Sequence, residues 1–260
     1  MNYRDILVDT MGAVAWLTLN KPQVKNAMGK QTLIEILQAM EYIGNIAGIA
    51  VMVIRGSEGT FCSGMDLRER SGPTAPDAYE FNHLADRVFL GIERFNKVTI
   101  AVIEGYCMAG GFEIAMGCDF IVADENCRIG DGHINLAGFV PNGGASIRLP
   151  RLIGIRKAKE LLLTGDLISG KEAERIGIVN YAVPKERLEN KVKELISKLE
   201  DKSPIGLEYM KSLINNSRDC SLETGFQMEH AAVKLLSKTL DAEEAISAMK
   251  QKRKPVFSGK

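Results

Sequence analysis

The 260-residue chain has little of what marks several large classes of protein. It contains one tryptophan and three histidines, and its 33 basic residues balance 33 acidic residues, for a formal net charge of zero. Overall charge therefore gives no reason to expect a nucleic acid or an anionic membrane as a partner. No apolar run approaches the ~18 residues that a membrane-spanning helix requires. What is left is an ordinary globular composition, with 45% hydrophobic and 25% charged residues.

Cysteine and histidine do not show the spacings of their common structural uses. The five cysteines include no C-x-x-C pair, and an odd count does not indicate a disulfide framework, so we expect free thiols and a cytoplasmic location. The three histidines lack the spacing of zinc ligands, and we expect no metal centre. His83 and His230 lie in helical patterns and are interpreted as surface or packing residues.

Two frequent enzyme motifs are missing as well. The chain has neither the G-x-G-x-x-G of dinucleotide-binding folds nor the G-x-S-x-G of hydrolase nucleophile elbows. Residues 165–172 approach a phosphate-binding loop, but Glu172 stands where a Ser or Thr would hold Mg²⁺. We instead interpret Ser169 as the N-cap of a helix, with Glu172 completing a capping box. A nucleotide site is therefore not predicted.

Hydrophobic periodicity predicts strands and helices in alternation, with helical patterns dominating from about residue 156. This order predicts an α/β fold whose core is partly covered by a helical region. We place the core at residues 1–195 and the helical region at residues 196–260. Residues 71–77 contain two prolines and are predicted to form a loop. The predicted strands are 6–8, 13–19, 48–54, 99–103, 119–123, 127–129 and 178–183, and the predicted helices include 33–43, 78–95 and 188–199.

The most informative stretch runs from residue 99 to residue 123. A short buried strand is followed by Gly105, and Gly110-Gly111 then begins a helix of small residues. The N–H groups at a helix start have no intrahelical partner, and glycine leaves room for an oxygen atom to approach them. Glu113, three residues after Gly110, falls on nearly the same helix face. This spacing predicts an oxyanion-binding N–H group beside an acid/base carboxylate.

The alternative for this stretch is a glycine pair that only permits close packing, followed by a solvated Glu113. The residues around Glu113 argue against it, because Phe112, Ile114, Ala115 and Met116 are all apolar. We therefore interpret Glu113 as an active-site residue.

Several further loop segments occur in an order and spacing that are specific as a set, although no single one is. They are Asn20-Lys-Pro with Lys25-Asn-Ala27, Phe61-Cys-Ser-Gly-Met-Asp-Leu67, Gly105 to Glu113, Cys118-Asp119, Pro141-Asn-Gly-Gly144 with Arg148-Leu-Pro, Leu163-Thr-Gly-Asp166, residues 173–179 and Lys252 to Phe257. With these segments the sequence resembles the crotonase (enoyl-CoA hydratase/isomerase) superfamily along nearly its whole length.

The resemblance implies a crotonase-like spiral of ββα turns with C-terminal helices that pack in trimers, commonly paired into hexamers. It also implies a coenzyme A thioester as substrate, so that CoA enters with the substrate and no separate cofactor is expected. The implied oxyanion hole is the pair of backbone N–H groups of Met65 and Gly110, and losing one such donor typically costs about 10²–10³ in rate. The residues implied to line the substrate and CoA site are Lys25, Ala27, Ser63, Gly64, Asp66, Leu67, Met108 and Gly138.

One position departs from the family pattern. Typical hydratases carry a second glutamate in a Pro-Glu pair, and this chain has Gly132-His133 at that place. We therefore take Glu113 and His133 as the candidate catalytic residues, with an imidazole in place of the second carboxylate. The alternative is that His133 only hydrogen-bonds within its own loop, for example to Asp131.

The resulting hypothesis is an acyl-CoA-processing enzyme that hydrates or dehydrates an enoyl-CoA. Double-bond isomerisation and decarboxylation of a malonyl-type thioester pass through the same enolate, so the oxyanion hole does not separate the three reactions. Some crotonase relatives bind RNA, but the zero net charge argues against that here. A non-catalytic scaffold is argued against by Glu113 and by the two loops of the oxyanion hole. The identity of the acyl group is left open.

Overall fold

Short apolar runs become strands and amphipathic stretches become helices in the structure, a computed structural model that describes residues 2–70, 75–135 and 139–260. Within these ranges no helix is both long and apolar enough to cross a membrane. The described strands are β1 Ile6–Met11, β2 Val14–Leu19, β3 Val51–Gly56, β4 Val98–Ile103, β5 Tyr106–Met108, β6 Phe120–Asp124, β7 Arg128–Gly130, β8 Ile168–Ser169 and β9 Tyr181–Val183. The described helices are α1 Lys30–Gly44, α2 Leu67–Arg70, α3 Ala75–Glu93, α4 Gly110–Gly117, α5 Ala145–Ile153, α6 Ile155–Thr164, α7 Gly170–Arg175, α8 Lys185–Ile196, α9 Pro204–Asn216, α10 Leu222–Leu236 and α11 Leu240–Gln251.

The main sheet has six strands in the order β1-β2-β3-β4-β6-β9. The hairpin of β1 and β2 is antiparallel, and the other neighbouring pairs are parallel. Residues 51–54 of β3 form a continuous apolar run that is at most 1% exposed, as expected for a parallel strand covered on both faces. One face of the sheet packs against Phe89 of α3 and Phe112 of α4, and the other against Leu188 and Val192 of α8. The sheet therefore forms the centre of the core.

A smaller sheet of β5, β7 and β8 positions the two segments that matter most for the site. β5 and β7 run parallel, with Met108 opposite Gly130. The carboxyl ends of the two strands therefore lie side by side. Helix α4 starts at Gly110, just after β5, and the turn with Asp131 and His133 follows β7. The parallel pairing thus brings the start of α4 next to the His133 turn.

An ion pair between a buried lysine and a partly buried aspartate attaches α9 to the main sheet. Lys211 of α9 places its Nζ 2.7 Å from Oδ2 of Asp119 and 3.1 Å from the carbonyl oxygen of Lys97. Asp119 also accepts hydrogen bonds from the backbone N–H and the hydroxyl of Thr99, at 2.7 and 3.0 Å. Helices α10 and α11, by contrast, expose large apolar side chains. These are Leu222, Phe226, Val233, Leu235, Leu240, Ile246 and Met249.

The predicted elements occur in the predicted order, with local corrections. Of the predicted loop 71–77, residues 71–74 lie outside the described residues, and residues 75–77 form the first turn of α3, so the loop prediction is wrong for them. Proline is tolerated in a helix's first turn, since the N–H it lacks would have no intrahelical acceptor there. The short strands β5 and β8, of three and two residues, were not predicted.

The N-cap prediction at residue 169 is confirmed in part. The Ser169 hydroxyl accepts the backbone N–H of Glu172 at 3.2 Å, as a helix N-cap does. The Glu172 carboxylate does not close a capping box, because it pairs with the Arg175 guanidinium at 2.6 Å instead.

Candidate active site

Glu113 lies in the first turn of α4, and its side chain is buried in the protein. Its Oε1 accepts backbone N–H groups from Gly143 at 2.6 Å and from Ala145 at 3.2 Å. Its Oε2 is buried too, yet it has no hydrogen-bond partner among the described residues. The protein thus holds this carboxyl group by one oxygen, and the other has its hydrogen-bonding capacity unused by the described residues.

The same burial changes the proton affinity of Glu113. Removing the carboxyl group from water raises its pKa above the ordinary value, because burial penalises the charged form. The N–H groups of Ala145 and Gly143 and the nearby His133 act in the opposite direction, and Asp131 adds to the increase. Glu113 is therefore a carboxyl group whose pKa has moved upward, toward the range that suits proton transfer near neutral pH.

Gly143 approaches Glu113 so closely that a Cβ atom at this position would force Glu113 or Phe89 to move. A Cβ atom on Gly143 would lie 2.6 Å from Oε2 of Glu113 and 2.5 Å from Cε2 of Phe89. Arg148 donates from Nη1 to the Gly143 carbonyl oxygen at 2.5 Å, and its Nη2 donates to Oε2 of Glu93 at 2.5 Å. The Arg148 guanidinium therefore fixes the Gly143 residue whose N–H orients Glu113. Gly143 and Arg148 were not predicted as site residues, although both stand in the matched Pro141–Gly144 and Arg148 segments.

Met65 and Gly110 come from different loops and lie side by side. A Cβ atom on Gly110 would be 3.1 Å from Cγ and from Sδ of Met65. Met28 and Met65 form a parallel β-bridge, whose hydrogen bonds go to the neighbours of Met65. The Met28 N–H donates to the Gly64 carbonyl oxygen, and the Met28 carbonyl oxygen accepts the Asp66 N–H. In such a parallel bridge the N–H of Met65 itself points away from Met28. Neither the Met65 N–H nor the Gly110 N–H has an acceptor within the described residues.

The start of α4 is tied to the turn that follows β7. Ala109, the N-cap residue, has φ 48° and ψ −120°, a conformation that is uncommon for a residue with a Cβ. Its N–H donates to the carbonyl oxygens of Asp131 at 2.9 Å and Gly130 at 3.2 Å. Gly110 follows as the first helical residue, at the positive end of the helix dipole. Ala109 thus attaches the start of α4 to the turn that carries His133, and Gly110 lies against Met65.

His133 begins a single turn of 3₁₀ helix and is buried. Its Nδ1 lies 2.9 Å from both carboxylate oxygens of Asp131, and its backbone N–H donates to Asp131 Oδ1 at 3.1 Å. The hydrogen bond that the sequence analysis offered as an alternative to a catalytic role is therefore present. It does not exclude such a role, because it occupies only one of the two ring nitrogens.

The residues implied to line the CoA site fall mainly on two segments that pair with each other. The Ser63 N–H donates to the Lys25 carbonyl oxygen at 3.0 Å, and the Lys25 ammonium stands 4.9 Å from the centre of the Tyr106 ring. The buried Asp66 binds the Arg68 guanidinium at 2.8 and 3.0 Å, which holds the pKa of the Asp66 carboxyl below its ordinary value. The Asp66 carboxylate is therefore used in the local structure of residues 63–68, through its ion pair with Arg68.

The remaining predicted site residues differ in their surroundings. Ala27 and Gly64 are buried in the paired segments, whereas Leu67 begins α2 and is partly exposed. Met108 ends β5, and its Cε would lie 3.8 Å from a Cβ placed on Gly132, beside His133. Gly138 lies outside the described residues. Met65, Gly110, Glu113 and the His133 turn are thus brought together, and the Lys25 and Ser63 segments adjoin them through the pairing of Met28 with Met65.

Comparison with known proteins gives one consistent family. The family model described as enoyl-CoA hydratase/isomerase matches residues 9–260. The crotonyl-CoA hydratase of Syntrophomonas wolfei is 34% identical over 261 residues, covering 100% of both chains. The 2,3-dehydroadipyl-CoA hydratase of Escherichia coli is 32% identical over 256 residues, covering 98% of this chain and 99% of its own.

The solved structures agree with the family match. The crystal structure of an enoyl-CoA hydratase from Bacillus anthracis superposes with a TM-score of 0.92 at 34% identity, covering 99% of this chain and 100% of that one. The resemblance read from the loop segments is confirmed, and so is the α/β, crotonase-like fold class.

Proposed function

The chain belongs to the enoyl-CoA hydratase/isomerase family, and we propose that it adds water across the double bond of an enoyl-CoA thioester and catalyses the reverse dehydration. One arrangement carries the proposal: the backbone N–H groups of two neighbouring residues, Met65 and Gly110, and one buried carboxylate oxygen of Glu113 have no partner within the described part of the chain. Two relatives that match over nearly their full length are named as hydratases of such thioesters. The two N–H groups suit the carbonyl oxygen of an acyl-CoA thioester, and the carboxylate oxygen suits the proton transfers of hydration.

In the proposed complex the thioester carbonyl oxygen accepts hydrogen bonds from the N–H groups of Met65 and Gly110. Both donors are fixed before the substrate arrives, one by the bridge to Met28 and the other by the start of α4. Fixed donors stabilise a developing oxyanion at no cost in reorganisation, and the positive end of the helix dipole adds to the effect. The carbonyl oxygen gains negative charge in the reaction, so these contacts strengthen in the transition state.

The proposed chemistry is addition through an enolate. The oxygen of a water molecule bonds to the β-carbon, and the π electrons of the double bond move through the α-carbon to the carbonyl oxygen. The water loses one proton, and the α-carbon then gains one as the carbonyl group re-forms, so that one molecule of water is added in total. Oε2 of Glu113 and Nε2 of His133 share these two proton transfers. A carboxyl group with a raised pKa can both take and return a proton near neutral pH.

The test is incubation with crotonyl-CoA and a panel of longer acyl-CoAs, followed by mass spectrometry of the products. Hydration predicts a mass gain of one water, and water labelled with ¹⁸O should appear in the β-hydroxyl group. An isomerase would return a product of unchanged mass, and a decarboxylase would release CO₂ from a malonyl-type thioester. If the protein bound acyl-CoA or RNA but turned over no acyl-CoA in the panel, the proposal would be contradicted.

We also propose a closed homotrimer, or a hexamer of two trimers, assembled through the C-terminal helices. The support is the row of exposed apolar side chains on α10 and α11, including Phe226 and Val233. A symmetric oligomer would bury such a surface against the same region of other copies.

We further propose a reducing, cytoplasmic environment, because all five cysteines are free thiols. The proposed reaction uses no metal and no cofactor apart from the CoA carried by the substrate.

A further inference from the structure

Asp131 and His133 form a buried pair with an unusually constrained geometry. Both Asp131 carboxylate oxygens lie 2.9 Å from the same ring nitrogen, Nδ1 of His133. The Asp131 side chain is 2% exposed and the His133 side chain 5%, so water does not compete for the contact. Asp131 therefore holds a specific atom of the ring, whereas a general attraction to the imidazole would allow either nitrogen.

The backbone makes this geometry rigid. Gly132 has φ +67°, which turns the chain so that Asp131 and His133 face each other. The backbone N–H of His133 donates to Asp131 Oδ1 at 3.1 Å, and the Asp131 carbonyl oxygen accepts the Ala109 N–H at 2.9 Å. The pair is thus anchored to the first residues of α4, the helix that carries Glu113.

A carboxylate fixes which ring nitrogen carries the proton. An ionised carboxylate accepts hydrogen bonds and donates none, so the Nδ1 atom facing it must carry a hydrogen. In the neutral ring the lone pair then sits on Nε2, on the opposite side of the imidazole. When Nε2 takes a proton, the carboxylate stabilises the resulting imidazolium.

We propose that Asp131 is a positioning residue that keeps His133 in the Nδ1–H tautomer, so that Nε2 is the nitrogen that exchanges protons with substrate or water. The tautomer assignment stands on the geometry alone, and its effect on rate rests on the proposed hydration. Three buried groups then serve proton transfer: Glu113 and His133 act directly, and Asp131 acts through His133. The usual second glutamate of hydratases is thus replaced by two residues that work as a unit.

The first test reads the protonation of the ring directly in the wild-type protein, and a variant serves only to assign the signals. Protein labelled with ¹⁵N-histidine has three imidazoles, from His83, His133 and His230, and the spectrum of His133→Gln identifies the resonances of His133. At a pH where the ring is neutral, long-range ¹H–¹⁵N correlation should show Nδ1 protonated and Nε2 unprotonated. An Nε2–H tautomer in the wild-type protein would overturn the proposal. This measurement uses no substrate, so it stands apart from the proposed reaction.

The second test compares two aspartates in the same local setting. Asp131→Asn keeps the shape of the side chain at position 131 but removes the preference of the His133 ring for one tautomer. The matched control is Asp124→Asn, because buried Asp124 also accepts the N–H of the second residue after it, Asn126, at 3.0 Å but contacts no histidine. We expect Asp131→Asn to change the ¹⁵N pattern of His133 and to lower kcat for crotonyl-CoA hydration, with KM little changed. Asp124→Asn should change neither.

A double variant separates action through His133 from structural support. If Asp131 acts through the ring, adding Asp131→Asn to His133→Gln should lower kcat no further. If Asp131→Asn lowered kcat by the same factor in His133→Gln as in the wild type, the proposal would be contradicted. It would also be contradicted if His133 kept the same tautomer in the Asp131→Asn protein. Full activity of His133→Gln would instead remove His133 from the proposed reaction, while the tautomer measurement would still decide the role of Asp131.

Discussion

Glu113 and Gly143 are 30 residues apart in the chain, and one hydrogen bond of 2.6 Å joins the carboxylate of the first to the backbone N–H of the second. The bond holds Oε1 and leaves Oε2 without a partner among the described residues. The orientation of the candidate catalytic carboxylate is therefore set by main chain on a separate loop, and not by the helix that carries it.

Replacing Glu113 should remove most of the activity. Glu113→Gln keeps an oxygen for the Gly143 and Ala145 N–H groups but cannot transfer a proton, and a positioned acid/base group is typically worth about 10²–10⁴ in rate. We expect a loss of that size in kcat for crotonyl-CoA hydration. The matched control is Glu35→Gln, because buried Glu35 also accepts two backbone N–H groups, from Arg4 and Asp5, at 2.9 and 2.8 Å. Equal losses in the two variants would remove the special role of Glu113.

The same substitution should stabilise the fold in a pH-dependent way. Burial raises the Glu113 pKa above its ordinary value of 4.5, so the charged carboxylate destabilises the folded state at pH above the raised pKa. The penalty is lost as pH falls, because below the ordinary value the group is protonated in both states. Glu113→Gln should therefore melt at higher temperature than wild type at pH 7, and the difference should vanish near pH 4. For a chain of this size each kcal/mol corresponds to about 2–4 °C in Tm.

Two substitutions at Gly110 isolate the backbone donor. Gly110→Pro removes the N–H, and as the first helical residue it costs the protein no internal hydrogen bond. Gly110→Ala keeps the N–H but adds the same Cβ, about 3.1 Å from the Met65 side chain. We expect the proline variant to lose about 10²–10³ in kcat relative to the alanine variant, with both folded by circular dichroism. Comparable activity in the two would show that this N–H does not bind the substrate oxygen.

Arg148 should affect catalysis without touching the substrate. Its Nη1 holds the Gly143 carbonyl oxygen, so Arg148→Met should let Glu113 shift, and a displacement of about 1 Å can cost on the order of 10²-fold in rate. The control is Arg151→Met on the same helix, whose ion pair with Asp219 is exposed and 3.5 Å long. The readout is kcat for crotonyl-CoA, with Tm to confirm folding. If both variants keep wild-type kcat, the Arg148 contact has no part in orienting Glu113.

The assembly can be tested with one charged substitution on α10. Phe226→Asp places a carboxylate on the exposed apolar surface of the C-terminal helices, and burying it between copies would be costly. Light scattering should report a trimer or hexamer for the wild type and smaller species for this variant. Met11→Asp is the control, since Met11 is also a highly exposed apolar residue but lies on the β1–β2 hairpin. A monomeric wild type at micromolar concentration would refute the assembly.

The part of the site that is built from residues close together in the chain could be predicted from the sequence. The glycines at 110 and 111 and the apolar neighbours of Glu113 predict a buried carboxylate at a helix start, and the structure places it there. The orientation of Glu113 could not be predicted in this way, because it depends on a loop 30 residues further on. The Asp131–His133 contact spans two residues and was foreseen as a hydrogen bond. The tautomer that this contact imposes on His133 could be inferred only from the two distances between Nδ1 and the Asp131 carboxylate oxygens.

The ion pair between Lys211 and Asp119 affects how the molecule opens. Separating the partners would leave the partly buried Asp119 carboxylate without its cationic partner, which costs free energy. We therefore expect α9 to open together with the ends of β4 and β6 where Asp119 binds Thr99, and its amide protons should exchange with solvent in those larger openings. Asp119 lies two residues after the last residue of α4. A protease cut that frees α9 would consequently leave the Asp119 carboxylate without its lysine partner, two residues from the helix that carries Glu113.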